Sequence, residues 1–463
     1  MSFISLQFLV FFMVVTLTYY QLNNQRMRVV LLLLASCYFY MSFVPLYILV
    51  LGGIILIDYF AGLKIADSLG KSRKSWLILS IVANLSVLLV FKYFNFFLGI
   101  LEPLVHGISP ETEMPFLSIL LPLGLSFHTF QAMSYTIEVY RGNQAPEKDF
   151  LTYALYVMFY PQLVAGPIER PGHFLPQLRK FQEYDRDAVR EGLSRMIWGF
   201  FKKVVIADRL AMMVDYCYNH SSTLSSISLI VGAVFYSFQI YCDFSGYCDI
   251  GIGAARVMGI RLVENFNEPY RARSMNEFWT RWHISLSTWF RDYVYIPLGG
   301  NRLGEKRRML NVILVFLLSG LWHGANWTFV IWGGLYGLIA AFLSAKKYNS
   351  KNQSFIRNVF FSLLSFSTVT LLWIFFRSPT LSESFLYLGR IFSWTNGPLN
   401  VGLNINEIWV SFLLIVILLF RERFIKSFRI NNRWIYTSYF LVMIVVCYML
   451  GVFNENQFIY FQF

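Results

Sequence analysis

The chain has 463 residues, 56% of them hydrophobic and 19% aromatic, with only 14% charged, a balance that excludes a soluble globular protein. Apolar stretches of about 20 residues recur from end to end, so the predicted fold class is all-α, a polytopic helical membrane protein. The net charge of +13 would suit nucleic acid, but the basic residues sit in short loops between spans. There they report topology and contact with anionic head groups, and no nucleic-acid partner is expected.

The first apolar run, Phe3–Tyr20, lacks a basic n-region and is long enough to span, so it reads as an uncleaved first helix. Arg26 and Arg28 follow it and place that loop inside and the N-terminus outside. Two spans fill Val29–Leu63, and the loop Lys64–Lys74 is basic and inside. Its Gly70-Lys71-Ser72 lacks the upstream glycine of a phosphate-binding loop and reads as a plain connection. Trp76–Ile100 crosses outward to Leu101–Pro115, where Glu102, Glu111 and Glu113 stand without Lys or Arg.

Leu121–Tyr140 returns inward and carries His128, a candidate for packing or for lining a passage. In Leu151–Pro167 and its sequel, YPQLVAGPIERPG, the residues Pro161, Gly166, Pro167 and Pro171 break a regular helix, which predicts a re-entrant or interfacial element. A basic amphipathic stretch follows at Arg170–Lys203, then a span near Val204–Tyr218 and a return at Leu229–Met258. Asp243 and Asp249 in that return are six apart, on different helix faces, and Gly251 and Gly253 read as helix packing. Arg261–Arg308 is a long inside stretch rich in arginine and tryptophan. After the basic loop Lys346–Arg357 come a span at Val359–Phe376, an outer polar loop at Ser378–Glu407, and spans at Ile408–Phe420 and Tyr436–Val452 around the basic loop Arg421–Arg433. That makes about a dozen crossings, with both termini outside. Cys37, Cys217, Cys242, Cys248 and Cys447 show no metal-type spacing and read as packing residues.

Leu317–Gly337, LLSGLWHGANWTFVIWGGLYG, organises the rest. His323 stands in its middle, and an ionisable group at such depth is costly unless it lines a polar cavity or finds a partner. Gly320 with Gly324, and Gly333 with Gly337, give small-residue faces for close helix approach, while Trp322, Asn326 and Trp327 surround the imidazole. A helix hairpin holding His323 beside a buried, partly wet passage follows.

Asn276–Gly300 supplies a second constellation. Trp279, Trp282, Leu286, Trp289 or Phe290, and Tyr293 recur at three- and four-residue steps and form one face of a single helix, bounded by Pro297 and Gly299-Gly300. An interfacial aromatic helix accounts for the face but leaves His283, one turn from Ser287 and flanked by Trp282, without a role. Arg281, Arg291 and Asp292 bring charge, and Phe266-Asn267-Glu268-Pro269-Tyr270 is a polar kink entering the same region. Acyl transfer from a thioester to a hydroxyl needs a base and a stabiliser for the oxyanion, and imidazole suits the base near neutral pH. The inside arginines and tryptophans suit a donor bearing phosphate and adenine, such as coenzyme A. No GxSxG elbow, HExxH or phosphate-binding loop occurs, so hydrolase, zinc and ATPase chemistries lack support.

YPQLVAGPIER, YCDFSGYCDI, FNEPYRARSMNEFW, RWHISLSTWFRDYVYIPLGG and SGLWHGANWTF, in this order along the chain, resemble the membrane-bound O-acyltransferase family, in its bacterial branch similar to alginate O-acetyltransferases. The resemblance implies many helices around a membrane-buried tunnel, a catalytic histidine at His323 and a second polar catalytic residue at His283. It also implies acetyl-CoA as donor substrate with no permanently bound cofactor or metal, a bacterial inner-membrane location, and transfer to an extracytoplasmic polysaccharide. Relatives of this branch work with a separate extracytoplasmic protein of the serine-hydrolase type, and a teichoic-acid D-alanylating relative shares the two histidines. Trp279, Arg281, Trp282, Ser287, Trp322, Asn326, Asn267 and Asp243 are the residues expected to line the tunnel and contact substrate. One membrane-embedded domain, 1–463, is expected, with N-terminal spans in 1–150, a catalytic core in 151–345 and C-terminal spans in 346–463. A lipid or glycan transporter is the rival from another class, since buried histidines and broken helices suit it too, but no internal repeat is visible. A purely structural scaffold gives no reason to keep two histidines buried.

Overall fold

Side-chain caps start many of the helices. Ser5 accepts from the Phe8 N–H, Asn24 from Arg26 and Met27, Asp149 from Thr152, Asn404 from Glu407 and Asn432 from Trp434 and Ile435. Each supplies an acceptor to the amides that open a helix without an internal partner. The computed structural model describes residues 1–108, 113–119, 121–163, 166–343, 354–425, 429–453 and 459. Glu111 of the acidic loop expected outside, Val164 and Ala165 of the broken element, and positions 346–353 and 426–428 of the two basic loops lie outside the described residues.

The described residues are helical or irregular, with no strand among them. Among the described residues five helices are long and apolar enough to cross a bilayer: Tyr47–Asp67, the continuous Gly70–Ile108, Ser226–Val257, Phe355–Arg377 and Arg433–Leu450. The last has only 6% of its apolar window buried and turns Ile435, Leu441, Val442 and Val445 outward. An outward apolar face of that extent is what hydrocarbon covers. The chain is therefore an all-helical membrane protein.

The chain divides into two compact units. The first comprises Met1–Met196 and Ile250–Val263. In it α1 (Leu6–Gln21) and α2 (Gln25–Met41) lead to α3 (Tyr47–Asp67), which packs on α4 (Gly70–Leu88) and α6 (Leu125–Arg141). α5 (Phe94–Ile108) extends α4 through a π-helical turn at Leu89–Tyr93. Only Ser68 and Leu69 separate α3 from α4, so most of the expected basic loop is helix end. The buried seam is polar as well as apolar: Asn84 donates to the Asp58 carboxylate at 2.8 Å, and the Ser80 and Thr136 hydroxyls bond at 2.9 Å. The expected break after Leu151 is present. α7 (Phe150–Met158) ends at Phe159, whose ψ of 112° leaves the helix, and the single turn α8 (Tyr160–Leu163) follows. α9 (Pro171–Arg179) and most of α10 (Arg186–Phe200) complete this unit. His128 lies in α6, 3% exposed, with its ring edge-on to Tyr40.

The second unit comprises Ile197–Asp249 and Glu264–Phe463. A π-helical turn at Phe201–Ala207 runs into α11 (Asp208–Asn219), and α12 (Ser226–Val257) gives its residues up to Asp249 to this unit. Two short helices, α13 (Met275–Trp279) and α14 (Ile284–Phe290), precede α15 (Glu305–His323) and α16 (Trp327–Leu343), which pack on each other along their lengths. α17 (Phe355–Arg377) lies against α16, and α19 (Ile405–Phe424) and α20 (Arg433–Leu450) pack on the π-helical turn. The polar stretch Ser378–Glu407 contains a helix that periodicity did not reveal, α18 (Leu381–Phe392). Its sequence, Thr380-Leu-Ser-Glu383, is a capping pattern, and the Thr380 hydroxyl accepts from the Glu383 N–H. Cys217, Cys242, Cys248 and Cys447 are buried as free thiols and Cys37 is half-buried.

Candidate active site

The stretch expected as one aromatic helix is two helices with a break at the histidine. α13 stops at Trp279, the backbone turns through Thr280–Trp282, and His283 takes the left-handed conformation at φ 44°, ψ 53° before α14 begins. A left-handed residue with a Cβ is costly and persists only where its surroundings hold it. Here the holder is the irregular segment around Asn265 and Asn267. The Asn267 N–H donates to the Arg281 carbonyl at 2.9 Å, and the Ile284 N–H donates to the Asn265 carbonyl at 3.0 Å. The Ser285 N–H and hydroxyl both donate to Asn265 Oδ1, at 3.1 and 2.9 Å. These long-range bonds fix the break, which a helical period over Asn276–Gly300 conceals.

His323 ends α15, and Gly324 stops that helix in extended backbone. The hairpin folds α16 back so that Trp332 meets the imidazole edge-on, centroids 5.2 Å apart, and α17 adds Phe376 at 5.3 Å. Trp322 lies 5.0 Å from the same ring. His323 is 4% exposed and His283 fully covered. The two imidazole centroids are 6.5 Å apart, and Trp322 packs on both, 6.0 Å from His283. That separation exceeds the reach of a direct nitrogen–nitrogen hydrogen bond. Burial holds the His283 imidazole well below its ordinary pKa, so it is neutral at pH 7.

The other expected residues divide into two sets. Trp282 is buried beside His283, stacked on Phe278 and 5.1 Å from Trp373; Trp279 packs on Trp332 and Tyr336. Trp332 and Trp373 stack at 5.6 Å, which closes an aromatic wall around both histidines. Ser287 sits one turn into α14, its N–H donating to the His283 carbonyl. Arg281 is engaged by Glu277 at 3.0 Å and by the Asn267 carbonyl. Asn326 caps the return helix, accepting from the Thr328 N–H and donating to the Pro379 carbonyl.

Asn267 and Asp243 stand elsewhere. The Asn267 side chain is exposed, and the asparagine at His283 is Asn265, whose Oδ1 lies 3.2 Å from His283 Nδ1. On α12 it is Phe244 that meets the His283 ring, at 4.8 Å. Asp243 instead pairs with Lys203 at 2.8 Å, and Lys203 also pairs with Asp208 at 2.7 Å. These groups bound a cavity of about 260 Å³ with Asp215, Gln239 and Arg377. Phe244 lies within YCDFSGYCDI and Asn265 borders the Phe266–Tyr270 kink, but both were missed because a motif does not tell which of its side chains meets a distant ring. Among the described residues no group of His, Cys, Asp and Glu is placed to hold a metal ion.

The pattern of MBOAT, the membrane-bound O-acyltransferase family, matches residues 144–379, which include both histidines. The chain is 39% identical over 427 residues to a probable alginate O-acetylase AlgI of Pseudomonas syringae pv. tomato, covering 89% of this chain and 80% of that one. It is 38% identical over 383 residues to a peptidoglycan O-acetyltransferase of Helicobacter pylori, covering 76% and 71%. A teichoic acid D-alanyltransferase of Bacillus subtilis is 29% identical over 256 residues, covering 52% of this chain and 64% of that one.

Proposed function

The chain belongs to the membrane-bound O-acyltransferase family, and from that premise we propose that it takes an acetyl group from acetyl-CoA on the inner side and delivers it for O-acetylation of an extracytoplasmic polysaccharide. The observation that carries this reading is the meeting of His283 and His323, from separate elements, at 6.5 Å inside an aromatic enclosure. The names of the two relatives matched over most of the chain, an alginate O-acetylase and a peptidoglycan O-acetyltransferase, support acetyl as the acyl group and a polymer as the acceptor.

In this mechanism His323 is the general base. It takes the proton of the acceptor hydroxyl as that oxygen attacks the thioester carbonyl, the new C–O ester bond forms, the C–S bond breaks, and the proton passes to the departing thiolate. His283 assists from the other side of the reacting group, and Trp282, Trp322, Arg281 and Asn326 shape the approach. The aromatic wall excludes water, which would otherwise hydrolyse the thioester. The remaining features belong to the same proposal: about a dozen crossings, a tunnel joining the two faces, an inner-membrane location with both termini outside, and an extracytoplasmic partner of the serine-hydrolase type that completes transfer to the glycan.

The test is His323→Ala, expected to abolish polymer-linked acetyl ester, measured by mass spectrometry of surface glycans, with membrane abundance unchanged. Undiminished ester in that variant would end the reading. Purified protein offered acetyl-CoA and, separately, a D-alanyl carrier thioester identifies the donor; turnover of the second alone would move the proposal to D-alanyl transfer.

A further inference from the structure

We infer that Asn265 is a positioning residue that fixes the tautomer of His283, holding the proton on Nδ1 and leaving Nε2 as the nitrogen that can accept one. The inference rests on the acyl-transfer reading for its functional consequence, and for the tautomer on hydrogen-bond geometry together with the burial that keeps the ring neutral.

The side-chain amide of Asn265 could face His283 with either its oxygen or its nitrogen, and the neighbours decide which. The Ser285 backbone N–H, which can only donate, points to the same atom at 3.1 Å, so that atom is the oxygen. The Ser285 hydroxyl adds a second donor to it at 2.9 Å. The other end of the amide agrees with this orientation, since Nδ2 lies 3.4 Å from the Cys248 sulfur of α12, which can accept a hydrogen bond. An amide oxygen 3.2 Å from His283 Nδ1 accepts and cannot donate, so Nδ1 carries the hydrogen. A neutral imidazole has one N–H, and burial keeps this one neutral. Nε2 therefore holds the lone pair.

The same residue also builds the backbone on which the ring sits. Its carbonyl accepts from the Ile284 N–H at 3.0 Å, so a single asparagine grips the backbone just after the left-handed His283 as well as its ring. Titratable groups packed around this point include His323, facing the ring from α15, and Cys248, reached through the amide. A buried histidine whose second nitrogen is held by a fixed acceptor is oriented and tautomerically defined, and loss of the holder is felt at the reacting nitrogen.

The experiment uses the full chain in lipid nanodiscs with ¹⁵N-labelled histidine, His283 being assigned by the signal lost in His283→Gln. In the wild type the expected signature is a protonated Nδ1 and an unprotonated Nε2. Asn265→Leu should move the proton to Nε2 or average the two sites, and lower acetyl-CoA turnover by about tenfold or more. Asn265→Asp keeps an acceptor in place, so it should retain the Nδ1 proton, keep part of the turnover, and move the acid limb of the pH profile upward by about one unit or more, since a carboxylate favours the charged imidazole. An unprotonated Nδ1 in the wild type would overturn the assignment, as would an unchanged tautomer and turnover in a folded Asn265→Leu. If that variant fails to fold, the wild-type spectrum and the Asn265→Asp profile decide. A wild type with the stated tautomer but no thioester turnover would support the role of Asn265 and count against acyl transfer.

Discussion

Gly320 on α15 stands directly against Gly333 on α16, so closely that a Cβ built on Gly333 would lie 3.2 Å from the Gly320 Cα. The same Cβ would collide with the Phe316 carbonyl, and a Cβ on Gly320 with that of Phe329. Backbone cannot yield as a side chain can. The hairpin that presents His323 to Trp332 therefore depends on two hydrogens where other residues carry carbon. Gly337 continues the seam against Ile313, whereas Gly324, expected on the same face, ends the helix instead.

Gly333→Ala should lower stability by about 1–3 kcal/mol through overpacking. Its neighbour Gly334→Ala meets only a Leu317 methyl at 3.4 Å and should stay within about 0.5 kcal/mol of the parent. Thermal unfolding in one detergent compares them, and equal melting of the two variants would refute the seam.

Lys203 pairs with both Asp208 and Asp243 where all three are almost wholly buried. Lys203→Met leaves two carboxylates without their cation and should destabilise by about 3–5 kcal/mol. Adding Asp243→Asn should restore part of that loss, because one of the stranded charges is gone. A double variant no better than the single one would show that the ion pairs are not the cause.

The Glu169 carboxylate bonds the His173 ring at 2.8 Å and also accepts from the Val263 N–H at 2.6 Å. That bond holds the His173 pKa above its ordinary value, while burial pushes Glu169 up. A histidine raised in the folded state contributes stability fully below its unfolded pKa, near 6.5, and loses it as pH rises through the folded value. The advantage of the wild type over His173→Gln in thermal unfolding should thus be largest in mildly acidic buffer and shrink toward alkaline pH. An advantage that grows with pH would reverse the assignment.

The cap of α18 is a local prediction. Thr380→Ala removes the acceptor for the Glu383 N–H and should cost about 1 kcal/mol, seen as faster amide exchange confined to Leu381–Phe392. Unchanged exchange in that helix would show that packing, through Tyr387 and Ile391, holds it without the cap.

Hydrophobic period and glycine spacing determined the helical membrane class, the hairpin at Leu317–Gly337 and the two histidines worth attention. These are properties of residues three or four apart, and an amphipathic or apolar run carries them openly. The motifs in their order marked the family for the same reason, since each is contiguous. What only the tertiary structure decided are the relations between distant segments. The break at His283 arises because Asn265 and Asn267 bond the turn from another stretch, which overrides a helical period that continues through it. The partner of the imidazole proved to be Asn265, while Asn267, two positions on, is exposed, and side-chain direction in an irregular segment has no period to read. Asp243 went to Lys203 because a buried carboxylate is held by whichever cation the fold brings within reach, and spacing along α12 does not specify it. The meeting of His283 with His323 belongs to the same class of fact: each residue was legible alone, and their closeness exists only once α15 and the broken pair α13–α14 are packed.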